Sequence, residues 1–335
     1  MTKKLQTFVC FLALLLCGAV NSMAQSQQQD FALVEQDGLY YTLYLSQKTA
    51  QIVQGAIAKY YIEHNGDMSG YDYYAQHEIL PAYKGSVNVP ASVFYQNETY
   101  KVTDINGLGG NPELTAVRVE AALTSLSLSG VPNLTSLELA NTESLTSMYL
   151  SNTGLSSLYI PAKVTYVSLS QNSKMTNIEV SPENPTYMMY YGILCYKNNG
   201  NPPTQIIYVP EGMEGTLVIP EGITYCNFSL TNCTKLTEVV IPPTLNDINT
   251  LLNGVKNIKI TFSGDNPTYK YEDGFILSAD GKNMIVALGS DAESLTIPDG
   301  VQNFSESIWA WSYYQKFPNL KILTLPAFLQ PTIFF

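Results

Sequence analysis

Only two histidines occur in this 335-residue chain, His64 and His77. Asp67, Asp72 and Glu78 lie beside them, so nitrogen and oxygen donors for a metal ion are present in one stretch. Their spacing fits no zinc motif, which would put ligands a few residues apart on defined elements. The stretch from His64 to His77 is rich in Gly, Asp and Tyr and reads as a solvated loop. A Ser-His-Asp arrangement would have to borrow one of the same histidines, and there is no G-x-S-x-G elbow. Gly107-Leu108-Gly109-Gly110 lacks the lysine and the following helix of a phosphate loop. Asp273-Gly274 and Asp280-Gly281 invite a calcium reading, but hairpin turns use Asp-Gly for its positive φ, and no EF-hand spacing follows. Acids such as Glu138 and Glu179 could approach each other across neighbouring segments, yet a solvated polar stripe accounts for them. No catalytic residue, cofactor or metal is therefore expected, and the chain reads as non-enzymatic.

The thiols follow a structural pattern instead. Cys195, Cys226 and Cys233 lie beyond the N-terminal leader described below. An odd number leaves at least one unpaired. All three read as buried, unbridged core residues. Cys233 falls three residues before a repeated LxxLxL start, in a column with Asn111, Asn152 and Asn172. A side chain there is expected to bond the backbone of a turn.

That repeat must position everything else. LTAVRV begins at Leu114, LTSLEL at Leu134, LSSLYIP at Leu155 and MTNIEV at Met175, spaced by 20, 21 and 20 residues. LTEVVIP at Leu236 and LKILTLP at Leu320 continue the pattern. A second set of strands lies between them: LTSLSL at Leu123, LTSMYL at Leu145 and VTYVSL at Val164. A period near twenty means that each unit is one coil of a solenoid, which can bury its apolar face only by stacking on its neighbours. The predicted fold is mainly β, a leucine-rich-repeat solenoid with short strands on both faces, preceded by a small β-rich cap.

Alternation along a strand turns the leucines inward and the residues between them outward. The outward column begins Arg118, Glu138, Tyr159, Glu179, and stacking makes it a stripe on the concave sheet. These four residues are the candidate binding surface. Aromatic clusters supply further candidates: Tyr73 and Tyr74 beside Tyr71, Met188 to Tyr191, and Trp309 with Trp311. Tyr and Trp dominate interface hot spots and also stack on sugars. Trp309 and Trp311, two apart, could equally share a buried face.

Composition bounds the partners. Lys3 and Lys4, the apolar run from Phe8 to Val20 and Ser22-Met23-Ala24 read as a secretory signal cleaved after Ala24. No good lipobox precedes Cys17, and no later run is long enough to span a bilayer, so the mature chain is expected to lack a transmembrane segment. Removing that leader, with its two lysines and no acid, takes the formal charge from −11 to −13. Arg118 is the one arginine, so nucleic acid is not an expected partner.

Beyond residue 180 a longer element enters and is duplicated. SPENPTYMMYYGILCYKNNG from Ser181 recurs as SGDNPTYKYEDGFILSADG from Ser263, and LVIPEGITYCNF from Leu217 recurs as LTIPDGVQNF from Leu295. Proline closes the repeat strands at Pro161, Pro220, Pro242, Pro298 and Pro326, where the missing N–H ends a ladder. The IP-ended strands, the Asn-Pro-x-Tyr insertion followed by Gly-Ile-Leu at Asn184 and by Gly-Phe-Ile-Leu at Asn266, and the lead-in DGLYYTLY, GSVNVP, ETYKVTDI together resemble the BspA-like leucine-rich repeat proteins. The resemblance implies a secreted or surface-exposed bacterial protein, with adhesion known for some members. The early coils depart from it, having no proline after Val119, Leu139 or Val180.

The expected organisation is a signal peptide at 1–24, a β-rich cap at 25–105, and a solenoid at 106–335 with duplicated islands at 181–241 and 263–325. The expected function is adhesin-like recognition of an extracellular protein at the cell surface or after secretion. The alternatives are a non-catalytic surface-coat component and a glycan binder using the aromatic clusters. The tail after Leu325 is apolar and broken by Pro326 and Pro331. Either it folds over the open end of the stack or the natural protein continues beyond it; the two prolines favour the second.

Overall fold

The computed structural model describes residues 31–54, 83–304 and 317–326. Among them the protein is mainly β, with strands stacked as a solenoid. Among the described residues helix is confined to one α-turn, Asn249–Leu252, and two 3-10 turns, Asn106–Leu108 and Leu230–Asn232.

The cap is a five-stranded sheet. Its strands are β1 (Phe31–Gln36), β2 (Leu39–Tyr44), β3 (Thr49–Ile52), β5 (Ser92–Tyr95) and β6 (Glu98–Asp104), in the order β1-β2-β3-β6-β5. Strand β2 alternates between buried and half-buried side chains, with Leu39, Tyr41 and Leu43 inward, as its sequence alternation predicts. These side chains join Val87, Leu114, Val117 and Leu126 in one hydrophobic cluster that continues to Tyr208. The cap therefore seals the first coil instead of forming a core of its own.

Two ladders make the stack. The first runs through β4 (Gly85–Val89), β7 (Leu114–Val119) and β9 (Ser136–Leu139), then β11 (Ser157–Ile160) and β13 (Asn177–Val180). It resumes as β17 (Gly215–Val218), β19 (Leu236–Ile241) and β20 (Lys259–Phe262), then β24 (Ser294–Thr296) and β26 (Ile322–Thr324). All pairs within these four sheets are parallel. Strand β4 lies before the 105/106 boundary expected from sequence, yet Val87 pairs with Val117 and Val89 with Val119. The ladder thus begins inside the segment assigned to the cap.

The second ladder begins with β8 (Ser125–Val131), β10 (Ser147–Thr153) and β12 (Tyr166–Ser170), parallel and in register. The islands follow. The first is β14 (Tyr187–Tyr190), β15 (Ile193–Tyr196), β16 (Gln205–Tyr208) and β18 (Tyr225–Cys226). The second is β21 (Tyr269–Glu272), β22 (Phe275–Ser278), β23 (Asn283–Ala287) and β25 (Asn303–Phe304). Both copies run hairpin, hairpin, parallel strand, and both shift register at the same place, Leu194/Cys195 and Ile276/Leu277. Their first turns, Tyr191-Gly192 and Asp273-Gly274, have positive φ at both residues, the two-residue hairpin geometry.

Buried asparagines fasten the turns. Asn111 Nδ2 donates to Leu108 O at 2.8 Å and Gly109 O at 3.1 Å, and its Oδ1 accepts from Tyr83 N at 2.9 Å. Asn172 donates to Leu150 O at 2.9 Å and accepts from Thr153 N and Oγ1 at 3.1 and 2.7 Å. Cys233 fills the equivalent buried place in its coil. Asn152 does not. It is exposed with φ 52°, because β10 runs on through Thr153, which takes the buried position and bonds Asn172. On the outside of the turns threonines make a parallel set of bonds, Thr135, Thr146, Thr176 and Thr224 each donating Oγ1 to a carbonyl one coil back.

Candidate functional site

Arg118, Glu138, Tyr159 and Glu179 project from β7, β9, β11 and β13, while Val117, Leu158 and Ile178 beside them are buried. The parallel register sets Arg118 against Glu138 and Tyr159 against Glu179. Within the first ladder β9 and β11 are not paired by hydrogen bonds, so the stripe consists of two strand-paired couples. The Arg118 guanidinium bonds Glu138 through Nη1 and Glu120 through Nε, the latter at 3.3 Å. These carboxylates hold it charged. Glu179 accepts from Asn177 Nδ2 at 3.3 Å. Tyr159 is 53% exposed and carries the largest open aromatic surface on this part of the ladder.

Farther along the same ladder Glu238 bonds Lys259 at 2.8 Å and Thr261 at 2.5 Å, and these two neighbours hold its carboxyl below the usual carboxylate range. Beside it lies a shallow depression of about 520 Å³ lined by Tyr190, Tyr191, Met213, Val218 and Glu221. This is where the Met188–Tyr191 cluster falls. Tyr191 stands at the hairpin tip, 76% exposed, with its ring edge-on to Tyr190 at 4.7 Å. Tyr73, Tyr74, Trp309 and Trp311 lie outside the described residues, as do Tyr71, His64, His77, the leader and the tail beyond residue 326.

The second ladder carries exposed tyrosines that the repeat spacing by itself does not single out. Tyr149 and Tyr166 are 41% and 51% exposed, with ring centroids 5.2 Å apart at 35°. Tyr196 and Tyr225 are outward on the next sheet of this ladder. Their signal was present in LTSMYL and VTYVSL: a tyrosine at an outward position of an alternating strand cannot be core.

The potentially reactive groups are inside. Cys195, Cys226 and Cys233 are buried and free. Burial pushes their thiols up, Cys195 and Cys233 to about 12 and Cys226 to about 11, so none is a thiolate at ordinary pH. Glu211 is buried too. Its Oε1 accepts from Gln171 N at 3.0 Å and Asn232 Nδ2 at 3.1 Å, and burial raises its pKa against those bonds. Its Oε2 and Tyr208 Oη are buried without a hydrogen bond. Among the described residues no three His, Cys, Asp or Glu side chains gather into a metal-binding group, and no helix is long and apolar enough to cross a membrane.

No family model matches the sequence, and no curated protein does. Several solved structures are similar. A leucine-rich cell surface protein from Faecalibacterium prausnitzii is 14% identical with a TM-score of 0.40, over 90% of this chain and 96% of that one. A leucine-rich repeat protein from Eubacterium ventriosum is 15% identical with a TM-score of 0.41, over 88% and 85%. The pneumococcal vaccine antigen PcpA is 11% identical with a TM-score of 0.35; the match covers 89% of this chain but 65% of the antigen. The assignment of this chain as a leucine-rich-repeat solenoid rests on its own strand pairing and spacing.

Proposed function

We propose that this is a secreted or surface-displayed recognition protein that binds an extracellular protein through the outward residues of its first ladder. The observation that carries the reading is the arrangement of Arg118 with Glu138 and Tyr159 with Glu179 on short parallel strands. There paired strands present an exposed aromatic ring beside charged side chains. Tyr and Arg are the residue types that anchor protein interfaces. The net charge of −11 favours a partner with a basic surface.

Immobilised full chain tested against purified extracellular matrix proteins provides the experiment, with Tyr159→Ala as the comparison. The expected result is capture of at least one protein by the wild type and weakened capture by the variant, with thermal stability changed by no more than about 0.5 kcal/mol. Equal capture by the two would remove Tyr159 from the interface. Cell fractionation tests the location: recovery in the cytoplasm contradicts the reading, and recovery at the surface or in the medium supports it.

A further inference from the structure

The second ladder has a different chemistry from the first. The outward residues of β8 are Ser125, Ser127 and Ser129. Those of β10 are Ser147, Tyr149 and Ser151, and those of β12 are Tyr166, Ser168 and Ser170. The register aligns them in rows across the three strands, Ser125-Ser147-Tyr166, Ser127-Tyr149-Ser168 and Ser129-Ser151-Ser170. Not one of the three strands contains a charged residue, and no aliphatic side chain points outward. On the first ladder, by contrast, Arg118, Glu138, Glu179, Glu238 and Lys259 all point outward.

The rings form a track. Tyr149 and Tyr166 pack against each other at 5.2 Å and still leave 41% and 51% of their surface open. Beneath the next step Tyr187 is buried, accepting from Val167 N and donating to Thr165 O, both at 3.1 Å. Burial pushes its phenol up to about 12, and the nearby phenols of Tyr196 and Tyr166 add to the shift. Tyr187 stacks on Tyr196 at 5.4 Å and 20°. Tyr196 is 37% exposed, and Tyr225 continues the outward row two strands on, at 45%.

We infer that this second face binds a neutral polysaccharide laid across the coils, with Tyr149 and Tyr166 as its principal stacking platform. Aromatic rings present an apolar body and a polar tip. Flanking serine hydroxyls can both donate and accept. A surface of rings and hydroxyls without charge complements a polyhydroxylated, uncharged ligand. It offers no cationic group to an anion, and it is rich in serine and free of Arg, the reverse of a protein-interface core. Four open rings distributed over β10, β12, β15 and β18 suit a chain of sugars better than a single one. This inference does not depend on the first-ladder reading, because the two faces share no residue.

The test is native affinity electrophoresis of the full chain through gels containing galactomannan, xyloglucan, mixed-linkage β-glucan, arabinoxylan or soluble starch. The proposal expects retardation by at least one of the five, unchanged by salt because no ion pair is involved. Tyr149→Ala/Tyr166→Ala should weaken that binding by about tenfold or more, the loss expected for hot-spot aromatics. Tyr159→Ala, on the other ladder, should leave it intact. Far-UV circular dichroism and melting of the double variant confirm that it folds; should it not, Tyr149→Ser and Tyr166→Ser singly keep the comparison. No retardation in any gel overturns the proposal, as does retardation that salt abolishes or that the tyrosine variants do not change. A dimer in sedimentation that the double variant dissociates would also overturn it, by showing that a second copy covers the face.

Discussion

Glu211 is a carboxylate inside the stack, with one oxygen bonded to Gln171 and Asn232 and the other alone. Its raised pKa makes it a source of pH dependence. Below its ordinary value of 4.5 it is protonated in folded and unfolded chains alike and carries no charge penalty. As pH rises the unfolded chain ionises first, so stability falls until the raised folded value is passed. Glu211→Gln should therefore stabilise the protein at neutral pH and raise its unfolding temperature. In acid below that ordinary value, the two proteins should melt together. A variant less stable at neutral pH would mean that the ionised form is held by bonds worth more than its burial costs. The cysteines give a second measurement at this scale. Native chain should react with a thiol reagent only slowly, even in mild alkali, and label at Cys195, Cys226 and Cys233 on unfolding. Rapid labelling of any of the three in native protein would contradict its burial.

Among the elements, the Asn-Pro-Thr-Tyr turn that opens each island explains why its sequence is repeated. Asn184 Oδ1 accepts from Thr186 N at 2.9 Å and Tyr187 N at 2.8 Å. Its Nδ2 donates to Pro161 O and Val164 O of the preceding coil, both at 2.8 Å. Asn266 makes the first pair of bonds, to Thr268 N and Tyr269 N at 2.9 Å, but its Nδ2 is buried without a partner. Asn184→Ala should cost about 3 kcal/mol or more, since each stranded buried group is worth roughly 1–3 kcal/mol. Asn266→Ala should cost visibly less in the same denaturant titration; equal losses would deny the difference between the copies. Gly107 is the tight point where cap meets coil. A Cβ there would lie 2.4 Å from Val53 C and 2.6 Å from Ile52 O, both backbone. Gly107→Ala should therefore force the cap sheet from the first coil and lower the melting temperature sharply. An unchanged melting curve would show that this approach is not tight in solution.

At the scale of the whole molecule, stability follows the stack. The cap and early coils share one cluster from Leu39 to Tyr208, and a second runs from Ile193 to Leu288. The third, around Phe275, Leu277, Ile297 and Phe317, is smaller. In β26 Leu323 occupies the inward register but is 36% exposed, with β24 as its strand neighbour. A solenoid is a near one-dimensional sum of coil and interface terms. Amides of β24 and β26 should therefore exchange with deuterium well before those of β7, β8 and β10. Uniform protection along the chain would instead show one fully cooperative unit.

Spacing determined the solenoid, both strand sets, the inward columns and the duplicated islands, because each is a local periodicity and a coil contacts only its neighbours. Alternation likewise placed Arg118, Glu138, Tyr159 and Glu179 outside, and the column count placed Asn111, Asn172 and Cys233 inside. Asn152 escaped that count because Thr153, the strand partner of Val131, lies only two positions before Leu155, whereas Val131 lies three before Leu134, so counting back three lands one residue short. The assignment of β4 to the ladder also needed the tertiary structure, since Gly85–Val89 reads equally well as a cap strand until it finds β7. So did the lack of strand pairing between β9 and β11, and the gathering of Tyr208, Glu211 and Asn232 beneath one surface. Those are distances between coils, and a repeat in sequence fixes only which residues face each other, not how closely the backbones that carry them approach.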